Sequence, residues 1–104
     1  MLYVRISLLT AKPDRERQVE GIQDDLLAHY VAQHGFLRGY KLRSTAQRRQ
    51  VGRVTVWRSA EYGDAAAQSP RVLAQRAELQ SLVEDEFEGS YESPEEPASA
   101  ASVP

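Results

Sequence analysis

The order in which two hydrophobic periods alternate along the chain constrains its fold more than any other feature. Side chains over residues 2–9 alternate with a period of two, which predicts a strand. Apolar residues then recur every three or four positions, which predicts an amphipathic helix with Pro13 in its first turn and Gly35 at its C-terminal cap. The remaining predicted elements are two strands, two helical segments and a last strand: 36–43, 51–58, 61–67, a helix that starts at Ser69-Pro70, and 87–91.

This order of elements is β-α-β-β-α-β, the split βαβ motif of the ferredoxin-like fold, so the predicted fold class is α+β. Right-handed crossovers place the helices on one face of a four-stranded antiparallel sheet with strand order 4-1-3-2. The other sheet face has no cover within the chain. We expect this face to carry apolar and aromatic surface, which favours self-association. The residues predicted there are Tyr3, Arg5, Arg53, Thr55 and Trp57.

Length and composition indicate one small domain. A chain of 104 residues supports one domain, which we place at residues 1–92. Residues 93–104 hold three of the five prolines and almost no large apolar side chain, which predicts a disordered acidic tail. The chain has no cysteine, which excludes disulfides and thiolate catalysis. We find no signal-peptide or membrane-spanning pattern, and the expected location is the cytoplasm.

Basic and acidic residues are segregated along the second half of the chain. Seven basic residues and no acid lie from Arg38 to Arg58, whereas eight acids and no base follow Arg76. In a two-fold dimer packed sheet against sheet, strand four of one copy can approach strand two of the other, and opposite charges then favour that register. The alternatives are a solvated charged face with an acidic tail, and a patch for nucleic-acid phosphates. The excess of acid and the net charge of −2 disfavour nucleic-acid and membrane partners.

Several segments resemble the antibiotic biosynthesis monooxygenase-like (ABM) family. They are the stretch Gly52–Ser59 with the Ala-rich turn after it, Ser69-Pro70, Lys12-Pro13 and Gly35-Phe36. The resemblance covers about residues 1–92. It implies a dimeric α/β barrel, with a small pocket between the sheet and the helices of each protomer. Family members include cofactor-independent oxygenases of quinols and polyketide aromatics, haem-degrading enzymes, and proteins without known activity.

The resemblance also indicates which family chemistry this chain departs from. Activity in the oxygenases is associated with asparagine and tryptophan in the pocket, and this chain contains Trp57 but no asparagine. The haem-degrading branch uses an asparagine, a tryptophan and a histidine, where this chain has Ser7, alanines 65–67 and Arg76. We therefore do not expect haem degradation by that mechanism, and we expect no cofactor.

His29 and Tyr40 are the candidate catalytic residues. His29 lies beside the apolar stripe of the first helix, and imidazole titrates near neutral pH, so His29 can serve as a general base. Tyr40 can donate a hydrogen bond to a bound quinol or carbonyl; the alternative is a tyrosine at the core margin with its hydroxyl in water. His29 and His34 do not share a helix face, and no metal site is expected.

Trp57, Tyr62 and Arg76 are the candidate substrate-binding residues. Trp57 matches the family's tryptophan on strand three and can form an aromatic wall for a flat substrate, or it packs in the core or the dimer interface. For Tyr62 the same two possibilities hold as for Tyr40. Arg76 shares a helix face with Val72 and Leu79, where its guanidinium can bind an anionic ligand group or extend into solvent.

These residues lead to three hypotheses. The first is a cofactor-independent monooxygenase that acts on a small aromatic or quinol-type substrate, in which the deprotonated substrate itself reduces oxygen. The second is a non-catalytic homodimer that binds a small ligand or a protein partner. The third is a structural or stress-associated protein whose pocket is filled by its own side chains. The fold alone does not decide among them, because this fold hosts many functions.

Overall fold

The computed structural model describes residues 1–94 and 98, so most of the predicted tail, residues 93–104, lies outside the described residues. No helix in that part of the chain is long and apolar enough to cross a membrane. The elements are β1 Leu2–Ala11, α1 Glu16–Val31, β2 Phe36–Arg43, β3 Gln50–Trp57, α2 Ala60–Ala67, α3 Pro70–Gln80 and β4 Val83–Ser93.

The sheet has the strand order β2-β3-β1-β4, and every pair of neighbouring strands is antiparallel. This confirms the predicted ferredoxin-like topology with β1 and β3 in the centre. The helices lie on one face, where apolar side chains from α1, α2 and α3 pack on the sheet. Their buried members are Val19, Ile22, Leu26, Tyr30, Ala66, Val72 and Leu79, which surround Leu9, Ala11 and Trp57 of the strands.

Both predicted ends of the first helix differ from the observed ones. Pro13 lies in a turn before the helix, because Asp14 has φ of +66° and a left-handed residue cannot join a right-handed helix. The helix therefore begins at Glu16 and ends at Val31, with the Ala32 N–H bonded to carbonyls of the last turn. Gly35, with φ of +79°, is not the cap but directs the chain into β2.

Substitutions at two glycines test whether the turn that precedes β2 requires glycine at position 35. Gly35 has a left-handed backbone, and a Cβ added to it would overlap the ring of Tyr62. We expect Gly35→Ala to lower the free energy of unfolding by about 2–3 kcal/mol. Gly21, in α1 with no atom near its Cβ position, is the matched control, and Gly21→Ala should stabilise the protein by roughly 0.5–1 kcal/mol. Urea denaturation followed by circular dichroism measures the stability of both variants. Equal midpoints for Gly35→Ala and wild type would contradict a left-handed Gly35 packed against Tyr62.

The residues predicted on the uncovered face of the sheet lie on the face that packs against the helices, so that prediction is wrong. Trp57, Thr55 and Arg53 are 1%, 3% and 7% exposed, and they lie under the helices. Tyr3 and Arg5 share that face, since they pair with Trp57 and Thr55. Several polar groups on this face are satisfied within the chain: Arg53 donates to Gln23, Trp57 donates to Thr55, and Arg5 forms an ion pair with Glu88.

The open sheet face is the apolar one. Tyr40 of β2 and Phe87 and Tyr91 of β4 are large side chains that are 52%, 47% and 49% exposed there. The apolar side chains of β1 and β3 on this face are half-buried or buried by their neighbours on the sheet. We call this surface the open face, and its apolar members are Leu2, Val4, Ile6, Leu8, Tyr40, Leu42, Val54, Val56, Phe87 and Tyr91.

Candidate functional site

The polar face of the sheet is organised by the register of its strands. Directly paired residues on antiparallel strands have side chains on the same face about 4.5–5.5 Å apart. Because β1 pairs with both β3 and β4, triplets of residues form rows that cross the sheet beneath the helices. Three rows matter here, namely Trp57–Tyr3–Glu92, Thr55–Arg5–Ser90 and Arg53–Ser7–Glu88.

Two small adjoining cavities lie between these rows and the helices. Each offers a water-sized molecule a volume of about 10 Å³, room for about one water. The first is bounded by α1 and α2, and the second by α3. The sheet side of the first is lined by Arg5, Ile6, Ser7, Arg53, Thr55, Trp57 and Glu88, and the helices add Tyr30 and Gly63. The sheet side of the second is lined by Ser7, Leu9, Arg53, Glu86 and Glu88, and α3 adds Arg76, Leu79 and Gln80.

The aromatic wall of the first cavity is also the centre of the core. The indole of Trp57 packs edge-to-face against the rings of Tyr30 and Phe36, with centroid distances of 5.7 and 5.4 Å. Its Nε1–H donates to Oγ1 of Thr55 at 2.9 Å. Trp57 therefore packs in the core, as one of its two predicted roles requires, and it also lines the first cavity.

Arg53 is the most deeply buried charge of the site. Its guanidinium donates to Oε1 of Gln23 and lies 5.5 Å from the ring centroid of Tyr30, a cation–π distance. Burial lowers the pKa of Arg53, and the neighbouring Tyr30 and Glu88 partly offset this effect. An arginine nonetheless stays charged in proteins, so the site contains a buried positive charge.

Glu88 is the carboxylate that lines both cavities. Its Oε2 accepts a hydrogen bond from Nη2 of Arg76 at 2.7 Å and lies 3.9 Å from Nη2 of Arg5. These three side chains are only partly exposed, at 29%, 35% and 23%. They form the rim of the site, whereas Arg53 and Ser7 lie beneath it.

The structure brings two of the five predicted site residues to the cavities. Trp57 lines the first and Arg76 the second. His29 lies outside them, with Nε2 3.4 Å from Oγ of Ser69, the residue that caps α3. Tyr40 lies on the open face, and Tyr62 packs over the turn at Gly35 and is 41% exposed.

Sequence reasoning missed the residues that complete the site, namely Arg5, Ser7, Arg53 and Glu88. The signal was present in β1, where Arg5 and Ser7 interrupt a strand that lies in the middle of the sheet. Polar side chains on a central strand are buried and need hydrogen-bond partners. A group of such side chains between the sheet and the helices is therefore a candidate site.

Three of the seven basic residues assigned to dimer register, Lys41, Arg43 and Arg49, have carboxylate partners within the chain. Lys41 and Arg43 of β2 bind Oε1 of Glu20 on α1, at 3.0 and 2.6 Å, and these hydrogen bonds lower the pKa of Glu20. Arg49 lies 3.0 Å from Glu84, the first acid of β4. These ion pairs hold β2 to α1 and the β2–β3 connection to β4 within one protomer, and the role of the other segregated charges in dimer register stays a prediction.

Comparison with solved structures assigns the fold. No known family profile and no curated protein sequence matches the chain. SnoaB from Streptomyces nogalater, a cofactor-independent oxygenase, superposes with a TM-score of 0.78 at 18% identity, over 91% of this chain and 95% of that one. The chain has the fold of the ABM-type monooxygenases.

Two further structures agree with this ABM fold. Rv0793 from Mycobacterium tuberculosis has a TM-score of 0.84 at 17% identity and covers 94% of this chain and 100% of its own. A Nitrosomonas europaea protein assigned as an antibiotic biosynthesis monooxygenase has a TM-score of 0.81 at 14% identity, over 88% of this chain and 89% of that one. The resemblance inferred from the sequence is thereby confirmed at the level of the fold.

Proposed function

We propose that this protein is a cofactor-independent monooxygenase that acts on a small aromatic or quinol-type substrate. The observation that carries the proposal is the first cavity, where the rings of Trp57 and Tyr30 meet buried polar side chains between the sheet and the helices. An apolar wall with a few convergent polar groups is the usual composition of a small-molecule site. The fold shared with SnoaB, a cofactor-independent oxygenase, supports the same function.

The reaction needs no group beyond substrate and oxygen. A substrate with an acidic CH₂ flanked by aromatic rings gives one proton to solvent, and the resulting carbanion transfers electrons to O₂ and forms a C–O bond. The peroxide takes up a proton, and its O–O bond breaks as the second C–H proton is lost, so that CH₂ and O₂ become C=O and H₂O. Carbon is oxidised by four electrons, and the two oxygen atoms are reduced by four in total.

The protein's contribution is to bind the ring and exclude water. Trp57 and Tyr30 offer apolar surface to a flat ring, and Arg76 offers hydrogen-bond donors at the rim. A cavity that holds about one water excludes bulk solvent, which protects a carbanion from reprotonation. A ring enters only when the rim side chains of Arg5, Arg76 and Glu88 move aside. Their partial exposure leaves them free to do so.

Oxygen uptake with a panel of hydroquinones, anthrones and polycyclic phenols tests this function. We expect uptake with at least one substrate, and no uptake when the cavity is blocked by Gly63→Leu, because a side chain on Gly63 collides with Tyr3 and Trp57. Gly21→Leu, on the exposed side of α1, is the matched control and should retain uptake. Uptake that persists in a folded Gly63→Leu variant would place the reaction elsewhere.

The predicted base, His29, can be tested in the same assay. Its ring lies against Ser69 and outside the cavity, so we expect His29→Ala to retain uptake within about threefold of wild type. His34→Ala, on the exposed connection after α1, is the control. Loss of uptake in His29→Ala alone would identify His29 as the base and show that it reaches the substrate after the site opens.

The small cavity volume favours a second candidate function. A cavity that is largely filled by its own side chains suits a structural or stress-associated protein, whereas a non-catalytic homodimer that binds a small ligand needs this cavity to open. For the first we expect neither saturable binding of aromatic ligands nor oxygen uptake across the panel, and for the second we expect saturable binding without uptake. Uptake with any of these substrates would exclude both.

We also propose that the protein is a homodimer joined through the open face. An exposed apolar surface on a central sheet favours a partner, and a second copy of the same sheet is complementary to it. The ABM-type fold of the chain supports this arrangement. Because Lys41 and Arg43 form ion pairs with Glu20 of the same protomer, we expect the apolar open face to supply most of the affinity between the two copies.

A further inference from the structure

The strongest unexplained feature of the molecule is the environment of Arg53. Its side chain is 7% exposed, yet within the described residues no carboxylate lies within ion-pair distance of its guanidinium. Glu88, the nearest candidate, is held by Arg76 and Arg5 instead. A buried charge without a counter-ion is costly, and a bound anion removes that cost.

Two unpaired donors lie beside this charge. Oγ of Ser7, a residue that is 5% exposed and lines both cavities, has no hydrogen-bond partner among the described residues. Ser7 is directly paired with Arg53 across β1 and β3, so their side chains are neighbours on one face. Nε2 of Gln23 is also unpaired, and it belongs to the amide whose oxygen accepts from Arg53.

The charge count agrees with the hydrogen bonds. Three guanidinium groups, those of Arg5, Arg53 and Arg76, line the two cavities together with two carboxylates, those of Glu86 and Glu88, which leaves one net positive charge. Arg53 and Ser7 lie beneath the rim, where no carboxylate of the described residues forms an ion pair with the guanidinium. Buried polar groups are nearly always paired, so unpaired donors next to a buried guanidinium that lacks an ion-pair partner indicate a missing acceptor that carries negative charge.

We propose that Arg53 and Ser7 form an anion subsite that binds the carboxylate of an aromatic acid. The planar guanidinium of arginine matches the two oxygens of a carboxylate, and the Ser7 hydroxyl supplies a further donor. Thr55 and Trp57 follow Arg53 at two-residue steps on the same face of β3, so a ring attached to the carboxylate lies against Trp57. This inference rests on the proposed function for its substrate, and it narrows that substrate to an ionised aromatic acid.

Binding measured without turnover tests the subsite separately from catalysis. Isothermal titration calorimetry under nitrogen compares 2-naphthoate with its neutral isostere 2-naphthamide. We expect wild type to bind the carboxylate at least about tenfold more tightly, since a hydrogen bond between two charged groups is stronger than one to a neutral amide. Arg53→Met, which keeps the length and apolar stem, should reduce this ratio to about one. Arg43→Met, on the surface of β2 beside Glu20, is the matched control and should keep the wild-type ratio.

Ser7→Ala keeps the test decisive if Arg53→Met fails to fold. This variant removes a buried hydroxyl that has no partner, so it should be as stable as wild type or more so, yet lower the carboxylate preference by about three- to tenfold. Equal affinity for the two ligands in wild type, an unchanged preference in Arg53→Met or Ser7→Ala, or no binding of naphthoate would each overturn the subsite. Oxygen uptake with a neutral aromatic substrate would still support the monooxygenase in each of those cases.

Discussion

Val54→Asp is expected to convert the proposed dimer into a monomer at micromolar concentration. Val54 lies at the centre of the open face, between Ile6 of β1 and Tyr40 of β2, and it points away from the helices. If two open faces pack together, the substitution buries two carboxylates, one from each copy, among apolar side chains such as Ile6 and Tyr40. A buried charge without a close ion-pair partner costs several kcal/mol, so we expect the two copies to dissociate.

Sedimentation velocity of both proteins measures this effect. Leu73→Asp is the matched control, because Leu73 is a large apolar residue that is 48% exposed on α3, away from the sheet. We expect Leu73→Asp to sediment as wild type does, and circular dichroism should show that all three proteins are folded. A wild type that sediments as a monomer, or a Val54→Asp variant that remains a dimer, would contradict the proposed interface.

Trp57→Ala is expected to have the largest effect on stability of any single truncation. The indole is 1% exposed, contacts two aromatic rings edge-to-face and donates a hydrogen bond to Thr55. Truncation of a buried tryptophan leaves a cavity and costs about 3–5 kcal/mol. For a domain of this size, each kcal/mol corresponds to roughly 4–8 °C in melting temperature.

A graded series separates the contributions of Trp57. Trp57→Phe keeps a ring against Tyr30 and Phe36 but loses the indole N–H, so it should cost less than half as much as Trp57→Ala. Tyr62→Ala, which removes an aromatic ring that is 41% exposed on α2, is the surface comparison and should cost about 1 kcal/mol. If Trp57→Ala and Tyr62→Ala unfold at the same urea concentration, Trp57 is not the centre of the core.

The sequence predicted the elements and their order well because each depends on local period. The four strands, the helix that begins at Pro70 and the strand order all follow from alternation, capping and handedness. Local period does not, however, show what covers each face of a strand. For β1 the apolar set at Val4 and Ile6 faces away from the helices, a choice made by the tertiary packing of α1 around Trp57.

The site was only partly predictable for the same reason. Trp57 and Arg76 stood out by residue type and by the family resemblance. Arg53 and Ser7 depend on a cross-strand pairing between residues far apart in sequence, and the position of His29 depends on Ser69, which lies 40 residues further along the chain. The general signal is a central strand that is polar on the face covered by helices and apolar on its open face. The polar side chains indicate a site, and the apolar side chains indicate self-association.

The most direct test of the monooxygenase proposal is the fate of oxygen atoms in a single reaction. The purified protein is incubated with an anthrone-type substrate under ¹⁸O₂ without added metal or cofactor, and the product is analysed by mass spectrometry. The account predicts one ¹⁸O atom in each product molecule and no hydrogen peroxide, with the second oxygen atom recovered as water. Product without ¹⁸O, or oxygen consumed entirely as peroxide, would contradict a monooxygenase.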